Sequence, residues 1–253
     1  MKMAFNEKVL EQQFVTQLRH HLDGWRQKVA ADFSKDSFDA ELAALNSDPI
    51  YPKFHFNTAA YVNIRFMGRI SISIGRRLGE IYDKVPRFLA AARYNITPAQ
   101  VAPKFGVMEL DIGLRFSELS KEDSEYVQHT CEKHASVRPT DRGVGIEIRY
   151  NFNPNDSSRL RKDVDMAEKL IAAELLPIYL VFSSISPRDE AIARLKRAGW
   201  IFLVGQSALD FATDLLGMDL TSILDRPAVS KEIKEEIEGM MSDIKSSYAF
   251  NRF

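Results

Sequence analysis

The chain has little of what would assign it to a class at once. It has a single cysteine, Cys131, among 253 residues, which excludes an internal disulfide framework and a zinc site built from several cysteines. No segment approaches the ~18 consecutive apolar residues of a membrane-spanning helix, and the N-terminal residues lack the apolar core of a signal peptide. These absences predict a soluble, cytoplasmic protein.

Neither sign of charge dominates the composition. Thirty-four basic and thirty-five acidic residues give a formal net charge of −1, so any nucleic-acid surface must be a local patch. The sequence also lacks a glycine-rich phosphate loop of the P-loop or dinucleotide-binding type. That absence counts against an unrelated α/β enzyme or interaction domain acting on a small phosphorylated ligand.

The hydrophobic pattern divides the chain into three predicted regions: an N-terminal helical region at residues 1–60, an α/β core at 61–225, and a C-terminal helix and tail at 226–253. Hydrophobic residues make up 45% of the chain, enough for one compact core with helical additions. A helix over 62–92, interrupted near Gly68 or Pro86, precedes the alternation of strands and helices. Strands are predicted at 107–116, 144–152, 177–183 and 200–204, with helices at 157–176, 188–198 and 207–217. This order predicts an α/β fold with a mixed central sheet.

Two of the predicted strands carry their charged side chains on one face, because side chains alternate in direction along a strand. In the first strand, Glu109, Asp111 and Arg115 lie opposite the apolar residues. In the second, Glu147 and Arg149 do the same. If the strands pair, these groups converge on an open surface floored by glycine, which is either a solvated sheet face or a site for a divalent metal.

An acid in one strand, a long gap and a Glu-x-basic sequence in the next strand resemble the core of the PD-(D/E)xK nuclease superfamily, and type II restriction endonucleases most of all. Asp111, in LDI, takes the place of the family's P-D, and Glu147 with Arg149, in IEIR, takes the place of (D/E)-x-K. The resemblance covers residues 70–220. It implies a restriction-endonuclease-like three-layer α/β sandwich and a Mg²⁺-dependent enzyme that hydrolyses phosphodiester bonds at specific sites in double-stranded DNA.

The same resemblance implies roles for individual residues. Asp111 and Glu147 would bind Mg²⁺, which takes carboxylate oxygens as ligands, and Glu109 would add a further ligand. Glu80, in the preceding helix, would be an additional acid of the catalytic site. Arg149 stands where the family has lysine; since arginine stays protonated, it can orient water or hold a phosphate oxygen but cannot act as a base. The alternative for Arg149 is a simple cross-strand ion pair with an acid.

Basic residues gather where DNA could lie. Residues 61–104 contain eight basic and two acidic residues, which indicates a phosphate-binding surface or, alternatively, a solvated helix face. The polar loop predicted at 117–141 is a candidate for base recognition. The helix after Glu147 has basic residues in its first turns, where they oppose the helix dipole unless a phosphate binds there. The residues predicted to contact DNA are Arg76, Arg77, Arg138, Arg142, Arg159 and Lys162.

The helix predicted at 230–248 has apolar residues at helical spacing. It either packs on its own domain or forms a seam with a second copy. The restriction-endonuclease resemblance favours a homodimer, because a two-fold symmetric protein matches a palindromic DNA site. The competing interpretation, favoured by Arg149, is a catalytically inactive nuclease-like domain that binds DNA or a protein.

Overall fold

The computed structural model describes residues 7–151, 157–184 and 189–252. Residue contacts divide the chain into two compact units: one comprises Met1–Gln12 and Gly79–Ile223, the other Gln13–Leu78 and Leu224–Phe253. These units differ from the three predicted regions, because one continuous helix runs through residue 60 and the C-terminal helix groups with the N-terminal ones. Within the described residues, none of the helices combines the length and the apolar character needed to cross a bilayer.

The elements follow one another in an order that is close to the predicted one. The helices are α1 (Glu7–Asp32), α2 (Lys35–Ser47), α3 (Ala59–Tyr94), α4 (Pro98–Val101), α5 (Lys121–Ala135), α6 (Ser157–Ala172), α7 (Asp189–Arg197), α8 (Gln206–Leu216) and α9 (Pro227–Ser246). The strands are β1 (Lys104–Phe105), β2 (Met108–Glu109), β3 (Ile112–Arg115), β4 (Gly143–Arg149), β5 (Leu176–Val181) and β6 (Ile201–Val204). Short 3-10 helices lie at Tyr51–Phe54, Phe116–Glu118 and Phe250–Arg252.

Helix α3 is continuous through Gly68 and Pro86, where the sequence predicts an interruption. A proline removes one helical hydrogen bond and crowds the preceding turn. Val85 and Leu89, on either side of Pro86, are both buried, and their packing offsets that local cost.

The unit that contains most of α1 together with α2 and α9 is helical. Arg19 pairs with Glu232, and Arg26 donates to Asp243 at 3.1 Å, so α1 and α9 are joined along their exposed sides. Their apolar sides are buried, as Phe14 and Met240 illustrate. The C-terminal helix therefore packs on its own chain, one of the two arrangements that the sequence allows.

The other unit is built around a mixed sheet with strand order β3-β4-β5-β6. Strand β3 is antiparallel to β4, whereas β4, β5 and β6 run parallel. Helices α6 and α7 cover one face of the sheet, where Leu170 and Leu195 join Tyr179 and Trp200 in one apolar cluster. Helix α8 contacts β6 and packs against α5. The prediction of an α/β fold with a mixed central sheet is confirmed.

The first charged strand is shorter than predicted. Residues 104–109 form a small hairpin, in which Lys104 pairs with Glu109 and Phe105 with Met108, and β3 begins only at Ile112. The backbone N–H of Leu110 donates to the carbonyl of Pro103 at 3.0 Å. This bond turns the chain between hairpin and strand, which an unbroken alternation of residue types does not reveal.

The predicted loop at 117–141 is also wrong, because most of it is helix α5. Ser120 caps this helix, its hydroxyl accepting from the N–H of Asp123 at 3.1 Å, and acidic residues in the first turn favour the helix dipole. Only Val127, Thr130 and Cys131 are buried. Because so few residues of α5 are buried, its sequence resembles that of a polar loop.

The charged face of β3 and β4 is buried, so the predicted open surface is wrong. A methyl group on Gly145 would lie 2.4 Å from Cδ2 of Leu170 in α6, and one on Gly113 would lie 2.7 Å from Cγ of Pro103. The two glycines form the floor that the sequence predicts. Because they lack side chains, however, they admit covering groups rather than solvent.

Replacing Gly145 with alanine tests this close approach. We expect Gly145→Ala to lower the free energy of unfolding by about 1–3 kcal/mol, because Leu170 has no room to retreat in a packed core. The matched control is Gly68→Ala on an exposed turn of α3, where no atom lies within 4 Å of the added methyl. There the same change should raise stability by about 0.5–1 kcal/mol through helix propensity. Urea unfolding measures both, and equal effects would contradict the packing described.

Candidate functional site

Asp111 and Glu147 lie side by side where β3 meets β4. The register pairs Ile112 with Ile146, and Asp111, one residue earlier, continues that register opposite Glu147. The backbone N–H of Ile148 donates to Oδ2 of Asp111 at 2.8 Å. Both side chains are buried, with relative exposures of 4% and 6%. The structure thus brings together the two acids that the sequence predicts as a pair.

Arg149 lies between these acids rather than pointing to solvent. Its Nη1 donates to Oδ2 of Asp111 at 3.1 Å and to the carbonyl of Ile148 at 2.6 Å, and its Nη2 donates to Oε1 of Glu147. A third carboxylate, that of Asp163 in α6, lies 3.4 Å from the same Nη2. The cross-strand ion pair that the sequence offers as an alternative for Arg149 is therefore present.

A second arginine, Arg87 of α3, joins the cluster from the other side. It bonds Oδ1 of Asp111 through Nη2 and Oε1 of Glu109 through Nη1. Glu109 is exposed, so Arg87 connects a surface carboxylate to a buried one. Through this bridge Glu109 and Asp111 belong to one cluster although no single strand carries both.

The charges of the cluster shift the pKa of its members. Burial and the nearby carboxylate of Asp111 raise the pKa of Glu147 to about 8, although Arg149 partly opposes the shift. Burial by itself would lower the pKa of Arg149, but Glu147 and the other acids outweigh it and raise that pKa well above its ordinary value. Arg149 is therefore a permanent cation, whereas Glu147 is ionised only at a cost.

The cluster contains buried polar atoms that are not satisfied by the described residues. Oε2 of Glu147 has no hydrogen-bond partner there, and neither has Nε of Arg87 or of Arg149. Buried polar groups are normally paired, and among the described residues this cluster keeps one open acceptor and two open donors.

The residues fit a hard divalent cation in their chemistry. Glu147 offers a free carboxylate oxygen and Asp111 a second carboxylate, the ligand type that Mg²⁺ takes. Oδ1 of Asp111 accepts from Arg87, and Oδ2 accepts from Arg149 and from the N–H of Ile148, so a metal at Oδ1 would share that oxygen with Arg87. In the part of the chain that the structure describes, no group of three or more His, Cys, Asp or Glu side chains is arranged as a metal site.

The other predicted site residues lie apart from this cluster or outside the described residues. Arg138 donates to Glu132 at 3.0 Å, and Arg142 to Glu174 at 3.1 Å, both on the surface. Arg159 and Lys162 are exposed on α6. The side chains of Glu80, Arg76 and Arg77 lie outside the described residues.

The basic stretch at 61–104 is largely paired with acids. Arg65 and Arg69 both bond Glu41, Arg87 bonds Asp111 and Glu109, and Arg93 lies 3.5 Å from Asp123. These partners are far away in sequence, which is why the local count of charges overstates the free positive charge. Lys84 and Lys104 remain exposed in this stretch.

Three residues of the cluster are absent from the predicted site: Arg87, Asp163 and Tyr179. The hydroxyl of Tyr179 donates to Oδ2 of Asp163 at 2.9 Å. The sequence does single out Asp163, because helical spacing places it on the same buried face of α6 as Met166, Ala167 and Leu170. A carboxylate within an apolar helical stripe needs a buried partner. Arg87 and Tyr179 carried no comparable signal.

Comparison with protein-family models, with curated proteins and with solved structures finds no match to this chain.

The raised pKa of Glu147 predicts a pH-dependent effect of Glu147→Gln on stability. Below the ordinary pKa of 4.5, Glu147 is protonated in both the folded and the unfolded chain and costs nothing. Between 4.5 and about 8 the unfolded chain loses its proton first, so ionisable Glu147 destabilises the fold increasingly. The stability of Glu147→Gln relative to the parent should rise by up to ~1.4 kcal/mol per pH unit over this window.

Urea unfolding at several pH values from 4.5 to 8.5 measures this difference. Glu109→Gln removes an exposed carboxylate from the same cluster and reports the general effect of losing one negative charge. If the stability of Glu147→Gln relative to the parent stays constant or falls as the pH rises, the raised pKa of Glu147 is contradicted.

Proposed function

We propose that the protein is a Mg²⁺-dependent endonuclease that hydrolyses phosphodiester bonds at specific sites in double-stranded DNA, as type II restriction endonucleases do. The observation that carries the proposal is the buried pair of Asp111 and Glu147 with one carboxylate oxygen left open. Burying two carboxyl groups side by side destabilises a fold, and Arg87 and Arg149 offset only part of that cost, since the pKa of Glu147 stays raised to about 8. The mixed α/β sheet is compatible with the restriction-endonuclease-like sandwich that this proposal includes.

Each residue of the cluster has its own role in the proposed reaction. Asp111 and Glu147 would hold the cation through their carboxylate oxygens, and Glu109, which shares Arg87 with Asp111, would supply a further acid. When bound, Mg²⁺ stabilises the negative charge that develops on the phosphate and lowers the pKa of a bound water. Arg149 donates to a phosphate oxygen through its fixed planar fork and takes no proton. Proton removal from the attacking water therefore requires a group other than Arg149.

The exposed arginines and lysines of the same unit support DNA as the substrate. Arg138, Arg142, Arg159 and Lys162 are all exposed, and surface cations that pair weakly with acids exchange readily for phosphates. A homodimer acting in the cytoplasm on a palindromic site belongs to the same proposal.

Cleavage of supercoiled plasmid DNA tests the proposal. We expect discrete fragments with Mg²⁺ and none with EDTA. Asp111→Asn and Glu147→Gln should each lower the cleavage rate by at least about 10²-fold, because each removes a charged ligand of the cation. Glu125→Gln, which changes an exposed acid that lies 3.9 Å from Lys121, is the control and should cleave normally.

Full activity in either site variant, or no metal-dependent cutting of any plasmid by the parent protein, would refute the nuclease proposal. Circular dichroism and urea unfolding of each variant show whether a loss of activity reflects unfolding. The sequence of the fragment ends gives the recognised site.

One observation favours a second function, a nuclease-like domain that binds DNA without cutting it. Both oxygens of Asp111 accept hydrogen bonds from an arginine, and two neighbouring guanidinium groups weaken the attraction of this carboxylate for a metal ion. Electrophoretic mobility shifts of plasmid fragments, with and without Mg²⁺, distinguish the two functions. Binding that is independent of metal, with no cleavage, would support the second.

A further inference from the structure

Asp163 is a buried acid whose two carboxylate oxygens have different partners. Oδ2 accepts from the hydroxyl of Tyr179 at 2.9 Å, and Oδ1 lies 3.4 Å from Nη2 of Arg149. The indole N–H of Trp200 donates to the backbone carbonyl of Asp163 at 2.7 Å. Tyr179 and Arg149 thus orient the carboxylate, and Trp200 holds the backbone of α6 at this residue.

Asp163 and Tyr179 contact Arg149 from the covering side of the sheet. The guanidinium carbon of Arg149 lies 5.7 Å from the centre of the Tyr179 ring, within the range of a cation–π contact. Asp111 and Glu147 approach the same guanidinium from their own strands. Arg149 therefore has two sets of partners: the site acids, and a pair formed by Asp163 and Tyr179.

This geometry requires arginine rather than lysine. The guanidinium is planar and has five donors in a fixed fork, so it can reach Asp111, Glu147 and Asp163 at once while lying over an aromatic ring. A lysine ammonium is a compact point charge and cannot span these directions. The presence of Asp163 opposite β4 thus gives a physical reason for the arginine at position 149.

We propose that Asp163 and Tyr179 are positioning residues. They hold the guanidinium of Arg149 towards the substrate phosphate when Asp111 and Glu147 bind a cation. In that state Arg149 loses two of its three carboxylate partners, and Asp163 with the carbonyl of Ile148 retains it. Without these two contacts, the guanidinium would be free to move together with Asp111 and Glu147. The inference rests on the proposed nuclease function.

Kinetics of Tyr179→Phe test the positioning role. The change removes one hydroxyl and keeps the ring, which stacks on Phe202 with centroids 4.7 Å apart. The control is Tyr94→Phe in the same unit, which removes another buried hydroxyl, one that donates to the carbonyl of Leu215 at 2.6 Å. We expect kcat for plasmid cleavage to fall about tenfold in Tyr179→Phe with KM within about twofold, a loss equivalent to ~1.4 kcal/mol of transition-state stabilisation.

The control variant separates positioning from stability. Tyr94→Phe should lose a similar amount of folding stability and keep its kcat, because its hydroxyl donates to the carbonyl of Leu215 in α8, whereas that of Tyr179 donates to Asp163. Equal kcat values for the two variants, or a Tyr179→Phe defect confined to KM, would overturn the positioning role.

A double-mutant cycle on folding gives a readout that needs no catalysis. Asp163→Asn and Arg149→Lys should be non-additive by more than about threefold in the unfolding equilibrium constant, since the two residues share one contact. Asp123→Asn, at an acid that lies 3.5 Å from Arg93, should be additive with Arg149→Lys within about twofold. Additivity of the first pair would overturn the inference whether or not the protein cleaves DNA.

The two tests also separate the inference from the function on which it rests. If the parent protein cuts no DNA but Asp163 and Arg149 remain coupled, the nuclease proposal and the role of the pair at a phosphate both fail, and only the contact that holds Arg149 in the fold stands. If the parent cuts DNA and Tyr179→Phe behaves like Tyr94→Phe, the nuclease proposal stands and the positioning role fails.

Discussion

Arg149 lies among three buried carboxylates, and the other polar contacts of the cluster are arranged around that one cation. Asp111, Glu147 and Asp163 would repel one another in a space that excludes water, so the single guanidinium between them is what allows all three to be buried. Arg87 of α3 supplies the second positive charge. Even with both arginines, one oxygen of Glu147 remains without a partner. Nε of Arg87 and Nε of Arg149 are open as well, so the described residues leave both an acceptor and donors of the cluster unsatisfied.

Helix α6 determines what kind of site this is. If the charged face of β3 and β4 lay in water, its acids would be ordinary surface groups with little mutual effect. Because Gly145 leaves room for Leu170, α6 approaches the sheet closely enough to exclude solvent and to bring Asp163 to Arg149. The same helix thus creates the low-dielectric environment and provides one of the charges within it. A function that uses strong local fields, such as phosphodiester hydrolysis, is consistent with that combination.

Local pattern was enough to predict much of the core. Alternation along VMELDIGLRF and VGIEIRYNF placed Asp111 and Glu147 on one face, and the observed register sets them side by side. Apolar continuity in IYLVF and WIFLV predicted β5 and β6. Helix α5 was missed because only three of its residues are buried. Partners such as Glu41 for Arg65, or Asp123 for Arg93, were missed because charge pairs between distant segments leave no periodic trace.

The sequence by itself determined the order of strands β3 to β6 with helices α6 to α8, and the placement of Asp111 and Glu147 on one face, because side-chain direction has a fixed period in each kind of element. Only the tertiary structure decided that their face is buried, that Arg87 and Arg149 neutralise it, and that Asp163 and Tyr179 complete it. Those outcomes depend on which helix covers which face of the sheet, and that is settled by packing between residues far apart in the chain. The distinction matters most for Arg149, whose position in a strand is local but whose partners come from three separate elements.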